Sequence, residues 1–210
     1  MYKNKTAFVS FFSTIPDTSG SASMTNNRFK NWPNQKKLFQ LSHFEIKNTK
    51  TLCSIFIGKE TPINKILKLP IITLKIFNYL KNSQNKIIIF EGSSWIFYTF
   101  SVLFSLKILL PTAKTIYISH NIESVIRKKY SNKFIYFLTK FLEKKVFKYS
   151  NLSTVVSFQD KREIKKLFNL DALVYPNAIS ISFKLKRNII KHNYIIYSGS
   201  YLFKPNKDAI

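Results

Sequence analysis

The sequence predicts an α/β fold built on a doubly wound parallel sheet, and three observations predict it. Short apolar runs rich in β-branched and aromatic residues recur, most plainly Thr6–Phe12, Lys86–Phe90 and Thr115–Ser119. They are near-continuous rather than alternating, the pattern of strands covered on both faces. Longer stretches of helical period lie between them, and strand–helix alternation implies parallel strands joined by helical crossovers.

In chain order, Thr6–Phe12 is the first strand. The loop Ser13–Thr25 collects Pro16, Asp17, Ser19, Gly20, Ser21 and Ser23, small residues that let backbone approach a ligand or simply turn the chain. A helix is expected to begin near Arg28, although Asn31–Lys37 is polar and poorly periodic. Leu38–Ile46 and Thr51–Ile57 read as two further strands, the second closed by Gly58. Thr61 and Pro62 then start a helix running to about Asn82, with a kink expected at Pro70.

Lys86–Phe90 is a buried strand, followed by the loop Glu91–Ser94 and an apolar helix from Trp95 to Leu110. Lys107 interrupts that run and it is short for a membrane span, so it reads as a buried helix. After the strand Thr115–Ser119, one helix is expected over Ser124–Tyr149, with Phe134, Leu138, Phe141, Leu142 and Val146 as its core stripe. Leu152–Ser157 is a strand, Asp160–Phe168 a helix and Ala172–Tyr175 a strand ended by Pro176-Asn177. A basic linker over residues 184–193 leads to a new strand, Tyr194–Tyr197, the turn Ser198-Gly199-Ser200 and a helix start at Pro205-Asn206. One such β–α start cannot bury itself, so residues 194–210 are expected to open a second domain that these residues do not complete.

Composition narrows the partners. The 210 residues are 45% hydrophobic, enough for a core. The 34 Lys and Arg against 10 Asp and Glu give a charge of +24, which favours an anionic partner: nucleic acid, an acidic membrane surface or phosphorylated substrates. Lysine, asparagine, isoleucine, phenylalanine and tyrosine abound as in an AT-rich coding sequence, but codon bias does not account for the shortage of acids. The lone cysteine, Cys53, lies in an apolar run and reads as an inert buried thiol. No secretory leader pattern is evident at the N-terminus, so a cytoplasmic location is expected.

The residue that draws the eye is His120. It directly follows the strand Thr115–Ser119, where open α/β sheets place their ligands. Glu123 and Arg127 sit four apart and can pair on a helix. His43 and His192 have no company that suggests a role. No Cys/His cluster and no close pair of carboxylates marks a metal site, so no metal cofactor is expected. Lys140, Lys144 and Lys148 form a basic ridge, either a solvated face or one that lies on anionic lipid.

Five stretches together resemble the retaining glycosyltransferases of the GT-B fold, in the large family four of sugar transferases. They are Pro16–Ser21 with Arg28; Ser119–Glu123 with Arg127; Leu142-Glu143 followed by Tyr149–Ser157 and Asp160; Val174–Ala178; and Ile196–Ser200 with Pro205-Asn206 and Asp208–Ile210. Two positions depart from the family pattern. Ala178 stands where the family has a hinge glycine, and the early loop holds one glycine where two are common.

The resemblance implies that residues 1–183 form a Rossmann-like, acceptor-side N-terminal domain, and that 194–210 begin the nucleotide-sugar-binding domain. It implies His120 as the residue contacting the transferred sugar, and Ser19, Gly20, Ser21, Arg28 and Asn121 as acceptor-binding residues. It gives Gly199 and Ser200 to the donor. It also implies a nucleotide-sugar donor and a lipid-linked or saccharide acceptor of surface polysaccharide or glycolipid synthesis. An enzyme of that kind is expected at the inner face of the cytoplasmic membrane, held peripherally by an anionic surface. Activity is not expected of residues 1–210 alone, because the donor half is incomplete. Two other readings compete: a nucleic-acid-binding protein, prompted by +24 and 16% aromatics, and a non-catalytic module that binds acceptor or lipid. Aromatics in strand and helix-core patterns argue against nucleic acid as a partner.

Overall fold

The computed structural model describes residues 4–12, 14, 20–41, 62–92 and 95–177. The expected strands Thr51–Ile57 and Tyr194–Tyr197 lie outside them, as do Ser19, His43, Cys53, His192, Gly199 and Ser200. The chain divides into two compact units, Met1–Ser180 and Ile181–Ile210, and the described residues all belong to the first.

The described residues of that unit are α/β, with six parallel strands in the order β2-β1-β3-β4-β5-β6. The strands are β1 (Lys5–Ser10), β2 (Gln35–Gln40), β3 (Lys86–Gly92), β4 (Lys114–Ser119), β5 (Leu152–Val155) and β6 (Leu173–Val174). The helices are α1 (Gly20–Asn31), α2 (Pro62–Leu80), α3 (Ile96–Leu109), α4 (Glu123–Tyr130), α5 (Lys133–Tyr149) and α6 (Phe158–Phe168).

Alternation along the strands divides the core between two faces. Ala7, Val9, Ile88, Phe90, Tyr117 and Val155 meet α2, α3, α5 and α6 in the larger cluster. Phe8, Ile89 and Ile118 face α1 in the smaller one. There the rings of Phe29 and Trp32 stand edge-on to Phe8, at 5.4 and 5.7 Å between centroids. Burying helices on both faces is what lets these strands be apolar throughout.

Several expectations are corrected. The first helix does not start near Arg28; it starts at Gly20, so Arg28 lies in its last turns. Ala22 and Thr25 are buried on its inner face, and this packing outweighs the weak local pattern. β1 stops at Ser10 because its hydroxyl donates to the Phe12 carbonyl (2.8 Å) and accepts from the Phe12 N–H (3.3 Å), turning the chain. β2 covers Gln35–Gln40, earlier than the apolar pattern suggests, since pairing with Lys5–Ser10 of β1 sets its register. Its lysines are used locally: Lys36 Nζ donates to the carbonyls of Lys30 (2.6 Å) and Trp32 (2.8 Å).

α2 runs unbroken through Pro70, which is exposed, so water can satisfy the carbonyl one turn earlier that loses its N–H partner. The single helix expected over Ser124–Tyr149 is two helices. The break falls at Ser131-Asn132, where the Asn132 side chain accepts from the Ile135 N–H (2.8 Å) and caps α5. With the helix restarted, its core side is Thr139, Leu142, Glu143, Val146 and Phe147. Phe134 and Phe141, expected in the core, are 73% and 56% exposed.

Gly92 ends β3 under the ring of Tyr117, and a Cβ there would lie 2.6 Å from the Tyr117 hydroxyl. Tyr117 is buried and stands edge-on to Phe147 at 5.2 Å, so it has little room to yield. Gly92→Ala is therefore expected to lower stability by about 1–3 kcal/mol, the usual cost of overpacking, as a reduced midpoint in urea at unchanged slope.

Candidate functional site

The site follows from the winding of the sheet. β2 lies on one side of β1 and β3 on the other, so the strand order reverses between β1 and β3. Loops leaving neighbouring strands diverge at such a point and open a crevice above their carboxyl ends. The parallel register sets Ser10 beside Glu91 and Gly92 beside Ser119 at that edge.

Glu91 is in phase with Ile87 and Ile89, so it faces α1. Its side chain is fully buried, and two cations or donors converge on one oxygen. Oε2 accepts from Arg28 Nη1 at 2.8 Å and from His120 Nε2 at 2.7 Å. Arg28 Nη2 donates to the side-chain oxygen of Asn177 at 3.0 Å. One buried carboxylate thus joins α1, β3, the end of β4 and the segment after β6. The arrangement also assigns the imidazole proton. An ionised carboxylate only accepts, so His120 Nε2 carries hydrogen and, in the neutral ring, Nδ1 is the acceptor. The 3.5 Å approach of Arg28 Nη1 to His120 Nε2 is then a close contact rather than a second bond.

Two acceptors at this edge lack a partner among the described residues: Glu91 Oε1 and Asn121 Oδ1, both buried. Unpaired buried acceptors are costly, and a ligand rich in hydroxyl donors would satisfy them. Below the cluster, on the α1 side, lies a cavity of about 270 Å³ lined by Phe8, Trp32, Ile89, Ile118 and Tyr175, with Arg28 at its rim. The Arg28 guanidinium carbon is 5.5 Å from the centre of the Tyr175 ring.

Behind His120, a second buried carboxyl holds the start of α4. Glu143 of α5 accepts from the backbone N–H groups of Glu123 (2.7 Å) and Ser124 (3.0 Å). It supplies the cap that Ile122, at the N-cap, cannot. Burial pushes its pKa up from 4.5 to about 7, opposed by its hydrogen bonds to Ser124 and Glu123. The folded state therefore holds a proton that the unfolded chain releases at lower pH. The resulting stabilisation is complete below about pH 4.5 and is lost as pH rises through about 7. Melting temperature is expected to decline over that window, and Glu143→Gln is expected to remove this component of the slope.

The structure brings together Arg28 and His120, with Asn121 adjoining, of the residues singled out in the sequence. Gly20 and Ser21 occupy the first turn of α1, and no hydrogen bond among the described residues joins them to the cluster. A Cβ on Gly20 would meet nothing within 4 Å, so packing there does not require glycine. Glu123 and Arg127 do pair, at 2.7 Å. Among the described residues no group of three or more His, Cys, Asp and Glu side chains converges as metal ligands would.

Glu91 was legible only as a loop residue, yet it is the centre of the cluster. The available signal was an acid placed directly after Ile-Ile-Ile-Phe in a chain with 10 acids in all. Asn177 was marked in the sequence only as part of the stretch Val174–Ala178, and its pairing with Arg28, 149 residues away, was not visible there. No family model matches the chain, and no curated protein matches it.

Proposed function

We propose that this chain carries the acceptor-side domain of a retaining, nucleotide-sugar-dependent glycosyltransferase of the GT-B kind. The observation that supports the reading is the buried Glu91 at the strand-order reversal, holding Arg28 and His120 through one oxygen, with the other unpaired among the described residues. Glycosyl transfer needs groups that orient hydroxyls around a centre where positive charge develops, and a means of stabilising the departing diphosphate. In this reading the His120 ring lies against the transferred sugar, while Glu91 Oε1 and Asn121 Oδ1 accept its hydroxyls or those of the acceptor. Arg28 gives the acceptor side its cation, and the apolar cavity below it suits the non-polar part of a lipid-linked acceptor. In this reading the diphosphate falls to Ser198, Gly199 and Ser200, the residues that the resemblance gives to the donor side. No metal takes part in the proposed chemistry, and nucleic acid is not the proposed partner.

The test is transfer of label from a panel of nucleotide-sugars to lipid-linked diphosphate and oligosaccharide acceptors. It is run on this chain and on a protein that extends it through a second α/β domain. Transfer by the extended protein supports the proposal. Absence of both transfer and acceptor binding across the panel removes it, while acceptor binding without transfer would favour a binding module.

A further inference from the structure

We propose that the outer surface of α2, α3 and α5 is a docking face for an anionic lipid bilayer, met peripherally and not spanned. The three helices pack side by side over one face of the sheet, with α3 in the middle. Many of their outward residues are apolar where a solvated layer would be charged throughout. On α5 the sequence Phe134, Phe137, Phe141, Lys144, Lys148 steps by three and four residues, so these side chains share one stripe. All five are exposed, Phe137 by 63%. Lys145 lies over the rings of Phe141 (5.4 Å) and Tyr149 (5.6 Å), keeping its charge beside the aromatic end. α3 presents Phe104 and Ile108, and α2 presents Leu67 and Leu74, all exposed. Between α2 and α3 runs a groove of about 470 Å³ floored by Leu69 and Thr73.

Charge selects the occupant. The segments of α2, α3 and α5 contain a single acid, Glu143, and that side chain is buried. The face therefore offers lysines and apolar groups with no exposed carboxylate of its own. A second copy of the chain would bring like charge against like charge. A nucleic acid would use the lysines and could stack on the phenylalanines, but gives the aliphatic Leu67, Leu74 and Ile108 nothing to bury in. An anionic bilayer accepts both, taking lysines at the headgroups and apolar side chains at the acyl boundary. No helix among the described residues is long and apolar enough to cross a membrane. The proposal deepens the transferase reading, on which its link to a lipid-borne acceptor rests; the face itself is argued from its own chemistry.

The experiment is cosedimentation of the 210-residue chain with vesicles of phosphatidylcholine, with or without phosphatidylglycerol. Binding is expected only to the anionic vesicles. The triple variant Lys140→Glu, Lys144→Glu, Lys148→Glu is expected to lower affinity about 100-fold or more, at roughly fivefold for each lysine lost near the surface. The matching lysine-to-arginine variant should retain binding, which separates charge from folding. Phe137→Ser and Phe141→Ser should each weaken binding about tenfold, in high salt as well. Equal binding to both vesicles, or none, overturns the proposal. So does a dimer lost in the phenylalanine variants, or salt-sensitive DNA binding without vesicle binding. Vesicle binding by a protein that transfers no sugar leaves the docking face standing and removes the transferase reading. Transfer to a soluble acceptor without vesicle binding does the reverse.

Discussion

Glu91→Ala is expected to destabilise the domain by about 3–5 kcal/mol, the largest effect of any single substitution at the site. The cost comes less from the lost attraction than from what remains. Arg28, whose side chain is only 9% exposed, keeps a charge that no carboxylate then compensates. His120 loses the 2.7 Å bond that fixes its proton on Nε2. Urea denaturation should show a lower midpoint at unchanged slope. The double variant Glu91→Leu, Arg28→Met should recover much of the loss, because removing both charges leaves no uncompensated ion. A loss below about 1 kcal/mol for Glu91→Ala would mean that water reaches the cluster freely, as it does for surface ion pairs.

Under the proposed transferase reading, His120→Ala is expected to reduce glycosyl transfer by about 100-fold or more, measured in a protein that extends this chain through a second α/β domain, while the fold persists. Structure and activity separate here because Glu91 keeps its charged partner Arg28, at 2.8 Å, after the imidazole is gone. The stability cost should be that of one charged hydrogen bond, about 1–3 kcal/mol. Circular dichroism and the urea midpoint check the first claim, and kcat with KM measured separately checks the second. Transfer at the wild-type rate would make His120 a structural partner of Glu91 and place the chemistry elsewhere in the crevice. His120→Gln sharpens the comparison, since an amide can still donate to Glu91 but cannot take the ring's place against a sugar.

The two buried carboxyls show why part of the site was legible in the sequence and part was not. His120 follows Ile116, Ile118 and Ser119 at the end of a strand, so position alone made it a candidate. Arg28 was marked by its place after the early loop, but its role depends on α1 starting at Gly20 and running past it. Glu91 and Glu143 act through partners 63 and 20 residues away, respectively. A periodic reading sees neither of those distances. Phe134 and Phe141 failed differently. They step at helical spacing with Leu138, Leu142 and Val146, but the helix packs on the side of Thr139, Leu142, Glu143, Val146 and Phe147, which leaves both rings on the outer side.

By itself the sequence determined the α/β class, the order of the described strands after the first helix and the position of His120 at a strand end. Those follow from local quantities: apolar run length, strand–helix alternation and capping residues, each fixed within a few neighbours along the chain. Only the tertiary structure decided which strand lies beside which, and so where the order reverses and the crevice opens. It alone chose Glu91 as the hub, because a carboxylate becomes buried and shared only when α1, β3 and β4 converge on it. It also turned the phenylalanines of α5 outward, since a helix face is inner or outer only relative to the sheet it covers.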